Sequence, residues 1–250
     1  MLIVGNWKAY VESKTKAKAL HASAKRLALK GNHEIVIAPA APHIGMLAPA
    51  KPLAKESLRL GAQDVSITVG GAETGEVAAG LLKDLGVSYV IVGHSERRAR
   101  GESDEVVTEK ARHALAHGMI PILCIGEVDR DPEAHYLKQV RSQLSAVMAS
   151  LSPKERLSVV IAYEPIWAIG KSELEAITPN DLAEMVLYIQ KVLSDFMPGR
   201  ANQKVRILYG GSVDASNVRA LAAGTGIEGF LVGRASTDVA GFSALVKALS

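Results

Sequence analysis

Glu164 stands at the end of a short apolar run, Ser158-Val159-Val160-Ile161-Ala162, where Pro165 at once stiffens the chain and the indole of Trp167 follows close behind. A run of that length and composition reads as a strand buried on both faces, and it sets a carboxylate at the strand's carboxyl end. A glutamate held there can act as a general base on a carbon-bound proton. A lone glutamate is more often an ordinary solvated acid, so the reading depends on its company.

That company lies just past other apolar runs. Asn6 and Lys8 follow the first in Gly5-Asn6-Trp7-Lys8, and extended spacing would put both side chains on one side, toward the interior. A lysine so placed needs an anionic partner, and otherwise it is a solvated side chain. His94 lies where Val92-Gly93 gives way to Ser95-Glu96-Arg97-Arg98, a polar stretch that reads as the start of a helix. The positive end of the helix dipole favours the neutral imidazole, which can donate a hydrogen bond to a substrate oxygen. His21, His33, His113, His117 and His135 read as surface histidines. Tyr209-Gly210-Gly211-Ser212 and Gly229-Phe230-Leu231-Val232-Gly233-Arg234 end in glycine-bearing turns whose backbone N–H groups can face an anion. Each is also compatible with an ordinary tight turn.

The elements that would hold these residues alternate. Apolar runs recur at Leu2–Val4, Ile35–Ala38, Leu58–Ala62, Tyr89–Val92, Ile120–Ile125, Val159–Tyr163, Val205–Tyr209 and Gly229–Val232. Helical patterns lie between them: Ala17, Leu20, Ala24 and Leu27, then Val77, Leu81, Leu82 and Leu85 with Gly86 as a stop, and Phe242, Leu245, Val246 and Leu249 last. The clearest has Thr178 as cap, Pro179 in the first position and Asp181 at the positive end. Its apolar stripe is Leu182, Met185, Val186, Ile189, Val192, Leu193 and Phe196. Eight strands alternating with helices point to an α/β fold, a closed eight-stranded parallel (β/α)8 barrel, with an open doubly wound sheet as the rival. In the barrel, all the strand ends named above converge on one mouth, and the turns after strands seven and eight form the usual phosphate site.

Composition fits one large core. The 250 residues are 48% hydrophobic but only 4% aromatic, so the core is aliphatic, and no Ser-rich or low-complexity stretch marks a boundary. A single domain over residues 1–250 follows. The net charge of +3 is scattered, which argues against nucleic acid, while a small anionic substrate remains compatible. The lone Cys124, in an apolar run, excludes an internal disulfide and reads as a buried, inert thiol of a reducing compartment. Zinc is not expected without further ligands, and no segment approaches the ~20 apolar residues of a membrane span. A cytoplasmic protein is the expectation.

The four motifs around Asn6, His94, Glu164 and Ser212, with Cys124-Ile125-Gly126-Glu127 and Thr74-Gly75-Glu76, resemble the triosephosphate isomerase family in order and spacing over essentially the whole chain. The resemblance implies reversible interconversion of dihydroxyacetone phosphate and D-glyceraldehyde 3-phosphate, without metal or organic cofactor. It implies Glu164 as base, His94 as the group that polarises the carbonyl, with its other ring nitrogen accepting a backbone N–H, and Lys8 and Asn6 at the oxyanion. Glu96 would orient the lysine. Gly170, Ser212, Gly233 and Arg234 would hold phosphate through backbone N–H groups. Pro165, Ile166, Trp167, Ala168, Ile169 and Gly170 would start a closing lid, with Trp167, Ile169 and Leu231 excluding water. It further implies a homodimer in which the loop around Thr74, Gly75 and Glu76 enters the neighbouring subunit, with Glu76 and Arg97 as a cross-subunit pair.

The chain departs from the family pattern in the longer segment Lys171–Thr178, in Glu73, Ala9 and Asp64, and in Arg234, where a second glycine is usual. An altered lid keeps open an isomerase of a four-carbon sugar phosphate, or a phosphate-binding barrel without catalysis.

Overall fold

A computed structural model describes residues 1–48, 58–169 and 177–250. Its strands are β1 (Leu2–Asn6), β2 (Glu34–Ala38), β3 (Leu58–Ala62), β4 (Val87–Val92), β5 (Ile120–Ile125), β6 (Val160–Tyr163), β7 (Ile207–Tyr209) and β8 (Gly229–Val232). All pair in parallel in sequence order, and β8 returns to β1 to close the barrel. The open sheet is thereby excluded.

Helical segments follow the strands: α1 (Lys14–Lys30), α2 (Ala41–Leu47), α3 (Ala79–Asp84), α4 (Ser95–Arg98), α5 (Asp104–Ala116), α6 (Tyr136–Ser150), α7 (Pro153–Arg156), α8 (Pro179–Ser194), α9 (Val218–Ala222) and α10 (Val239–Ala248). The α8 cap forms as expected: the Asp181 N–H donates to Thr178 Oγ1 at 3.1 Å, and that hydroxyl donates to Asp181 Oδ2 at 2.7 Å. The α8 stripe is buried from Leu182 to Leu193, while Phe196 lies past the helix end and is partly exposed. The expected stripe after β3 needs correcting. Val77 precedes α3 and Leu81 is 61% exposed, so only Leu82 of that set is fully buried. A helix this short offers the barrel one turn of contact, and an apolar residue on its far side stays in water.

Parallel strands covered by helices are buried on both faces. Between strands and helices lies the larger core, and a smaller one fills the barrel from Leu2, Val4, Val36, Ala38, Ile122, Ala162 and Leu231 among others. Cys124 belongs to this inner set and is a free thiol. At the amino-terminal end, Tyr89 donates to Glu34 Oε1 at 2.6 Å and Arg206 bonds both, which links β2, β4 and the approach to β7.

Candidate active site

Alternation along each strand carries the inner columns into the mouth. Leu2 and Val4 are followed by Asn6, and Val160 and Ala162 by Glu164. Both polar residues are buried, Asn6 at 4% and Glu164 at 2% exposure. His94 is out of step with Tyr89 and Ile91, and a turn corrects it. Gly93 has φ +67°, a left-handed conformation that L side chains avoid, and a Cβ there would lie 2.9 Å from Val107. That turn ends β4 and aims the imidazole inward.

Lys8 also reaches the cavity, but not by extended spacing. β1 ends at Asn6, and Lys8 adopts φ +46°, one of only two non-glycine residues with positive φ among those described. Its N–H donates to Asn6 Oδ1 at 3.0 Å, and its carbonyl accepts from Gln63 Nε2 at 2.9 Å. A strained backbone is held there by side chains on both sides.

The cavity, of ≈370 Å³, is lined by Asn6, Lys8, His94, Glu164, Ile169, Ser212, Leu231, Gly233 and Arg234 among others. Glu164 Oε2 accepts the Ser95 N–H at 3.1 Å, and Oε1 lies 3.1 Å from His94 Nε2. His94 Nδ1 accepts the Glu96 N–H at 3.1 Å. An accepting Nδ1 leaves the proton of a neutral ring on Nε2, facing Glu164 and the cavity. The Lys8 ammonium donates to Glu96 Oε1 at 2.7 Å. Burial pushes the Glu96 carboxyl up, but the Lys8 hydrogen bond and charge, with His94 and Arg100, hold it below the usual carboxylate range.

Glycines keep this floor compact. A Cβ on Gly210 would lie 2.8 Å from Glu164 Cγ, and one on Gly126 would run into the Glu164 carbonyl. Gly233 is different: a Cβ there meets Lys8 Cε at an ordinary 3.6 Å.

The expected lid starts with Pro165 and a 3-10 turn, Ile166–Ala168. Ile169 and Leu231 line the cavity, but Trp167 does not. Its indole N–H donates to Glu127 Oε1 at 2.8 Å, and its ring lies 4.9 Å from the Arg130 guanidinium. Glu127 is fully buried and also accepts from Tyr163 Oη at 2.8 Å and Arg130 Nε at 3.1 Å. Burial is the largest influence on Tyr163 and, with the charge of Glu127, raises its phenol well above the ordinary range. Ser212 donates to the Ala168 carbonyl at 3.1 Å, joining the turn after β7 to the same segment. Gly170 and Lys171–Ala176 lie outside the described residues.

Thr74, Gly75 and Glu76 are all exposed. Arg97 binds acids of its own chain, Asp64 at 3.0 Å and Glu102 at 2.8 Å. Three groups of the site carried no sequence expectation of their own: the Gln63 amide, the Ser95 N–H and the Glu127–Arg130 pair. Gln63 had a usable signal, since it is the first polar side chain past β3.

A closed parallel barrel that holds a buried carboxylate against an imidazole, with a lysine beside them at the carboxyl-end mouth, is a barrel enzyme built for proton transfer. The sequence pattern described as Triosephosphate isomerase matches residues 1–249. Curated relatives named triosephosphate isomerase are similar along nearly the whole chain. The protein of Symbiobacterium thermophilum is 41% identical over 99% of this chain and 96% of its own length. That of Thermus thermophilus is 42% identical over 99% and 98%, and that of Dictyostelium discoideum 38% over 87% and 84%. The chain belongs to the triosephosphate isomerase family.

Proposed function

We propose that the chain, as one catalytic domain over residues 1–250, interconverts dihydroxyacetone phosphate and D-glyceraldehyde 3-phosphate through an enediolate. The observation that carries the reading at this site is the 3.1 Å approach of Glu164 Oε1 to His94 Nε2, both side chains buried in the lining of one cavity. A three-carbon fragment bound in the cavity displaces the Glu164 carboxylate from His94 and then meets a base on one side and the freed Nε2–H donor on the other. Glu164 takes the proton from the carbon next to the carbonyl and returns it to the neighbouring carbon, leaving the Ser95 N–H as it moves. His94 donates its Nε2–H to the carbonyl oxygen and takes up the proton of the neighbouring hydroxyl in return, so a proton passes between the two enediolate oxygens and the ring ends neutral as it began. As negative charge grows on the carbonyl oxygen, the Lys8 ammonium and Asn6 stabilise it, with Glu96 orienting the lysine.

The phosphate end lies by the turns after β7 and β8, at Ser212, Gly233 and Arg234, with Gly170 completing the set. Pro165–Gly170 open a lid that keeps water from an enediolate prone to eliminate phosphate. The exposed loop around Thr74 and the exposed side chains of Ile67 and Val69 favour a homodimer, and the single free thiol, Cys124, fits a cytoplasmic setting. No described helix is long and apolar enough to cross a membrane.

Steady-state isomerisation of D-glyceraldehyde 3-phosphate by wild type and Glu164→Asp tests the reaction. Wild type turns over, and the variant, its carboxylate withdrawn by about 1 Å, loses on the order of 10²-fold in kcat. A wild-type chain without turnover, or a variant as fast, would refute the assignment. Light scattering at micromolar concentration tests the dimer, which a fully active monomer would exclude.

A further inference from the structure

Charge in the cavity lining is unevenly compensated. Glu164 puts a buried negative charge on the floor. Lys8 lines the same cavity, but Glu96 already holds its ammonium at 2.7 Å. Asp214 adds a second carboxylate to the lining, fixed by the N–H and hydroxyl of Ser216. The remaining cation of the lining is Arg234. It is exposed, it opens the 3-10 turn Arg234–Thr237 just past β8, and its carbonyl accepts from Thr237 Oγ1 at 2.8 Å. No side-chain hydrogen bond or ion pair engages its guanidinium among the described residues. Without that guanidinium the lining would present more negative than positive charge, and a phosphate dianion would approach a repelling mouth.

We infer that the Arg234 side chain determines specificity at this site, its unpaired guanidinium capturing phosphate-monoester dianions at the rim and selecting them over uncharged ligands. The inference rests on the phosphorylated-substrate reading and goes beyond a backbone contact at the same residue. A solvated guanidinium acts over about a Debye length, ~10 Å at 0.1 M salt, so it works on encounter and binding rather than on proton transfer. Its planar fork also matches two phosphate oxygens at once, a geometry no backbone N–H pair adjusts to as freely.

The test compares wild type, Arg234→Gln and Arg234→Lys on D-glyceraldehyde 3-phosphate from about 0.01 to about 0.5 M ionic strength, with inorganic phosphate as competitor. Arg234→Gln is expected to lose roughly 5–10-fold in kcat/KM at low salt, mostly through KM, with the gap closing as salt rises. Its inhibition constant for phosphate rises in step, and Arg234→Lys recovers most of both. The ratio of kcat/KM for the phosphorylated aldehyde to that for D-glyceraldehyde falls accordingly. Wild-type salt dependence and phosphate inhibition in Arg234→Gln would overturn the inference. So would an equal loss of kcat on both aldehydes, which marks a structural role. Calorimetric titration with phosphate separates the two readings. A wild type that fails to isomerise, yet binds phosphate more tightly than Arg234→Gln does, would reject the reaction and keep the arginine's role.

Discussion

The Gln63 amide nitrogen donates to two carbonyls at once, Lys8 at 2.9 Å and Ala38 at 3.0 Å, and so ties the left-handed turn at Lys8 to the end of β2. A non-glycine residue at φ +46° costs on the order of 1–3 kcal/mol and persists only where neighbours enforce it. Gln63→Leu fills similar space but donates nothing. The turn is then expected to relax and carry the ammonium away from the developing oxyanion, with kcat falling roughly 10–100-fold and KM changing less. Rate constants together with a thermal melt decide it: a folded variant with wild-type kcat would mean that the Lys8 turn holds itself.

Glu127 sets up a second dependence. Its carboxylate is fully buried, and Arg130 is the cation that compensates it. Arg130→Met leaves that charge with only Tyr163 and Trp167 as donors, at an expected cost of ~2–4 kcal/mol in urea unfolding. Changing Glu127→Gln as well is expected to recover part of the loss, because a neutral amide needs no cation. An unchanged single variant would show that the phenol and indole suffice.

Asp64 gives a prediction whose sign runs against intuition. It faces Lys110 at 2.7 Å and Arg97 at 3.0 Å, and both bases also contact Glu102. Burial is the dominant influence and pushes the Asp64 carboxyl above the ordinary range, outweighing Lys110 and Arg97. Above the ordinary aspartate value, the unfolded chain loses this proton before the folded one does. Asp64 therefore favours the fold at low pH and loses that contribution as pH rises through its folded value. Asp64→Asn should be neutral or stabilising by up to ~1 kcal/mol at pH 7, with the difference shrinking toward pH 4. Urea unfolding at both pH values checks it, and a loss above ~2 kcal/mol at pH 7 would show that the ionic contacts win.

The strands and the polar residues beyond them were legible in the sequence for one physical reason. In a parallel barrel, each strand is a continuous apolar run, so the residue that breaks the run is the one at the mouth. Glu164, His94 and Asn6 declare themselves in that way. Lys8 does so for the wrong geometric reason, because φ follows from contacts with Asn6 and Gln63 that only the folded chain makes. Leu81 misleads because hydrophobic spacing says which residues share a face and not how long the helix runs. The Glu127–Arg130–Trp167 arrangement joins side chains 40 positions apart, and no local pattern encodes it.

Closure of the ring has a consequence for how the chain comes into being. Leu2–Gly5 pair with Gly229–Val232, so the first strand to leave the ribosome waits for the last before its second edge is covered. Until then β1 presents unpaired amide and carbonyl groups to anything extended nearby, including the same edge of another nascent copy. Synthesis at about 5–20 residues per second leaves that edge open for roughly ten seconds or more, far longer than a hairpin needs to form. The geometry that gathers every strand end at one mouth thus leaves the newborn chain reliant on protection of the open edge of β1 until β8 arrives.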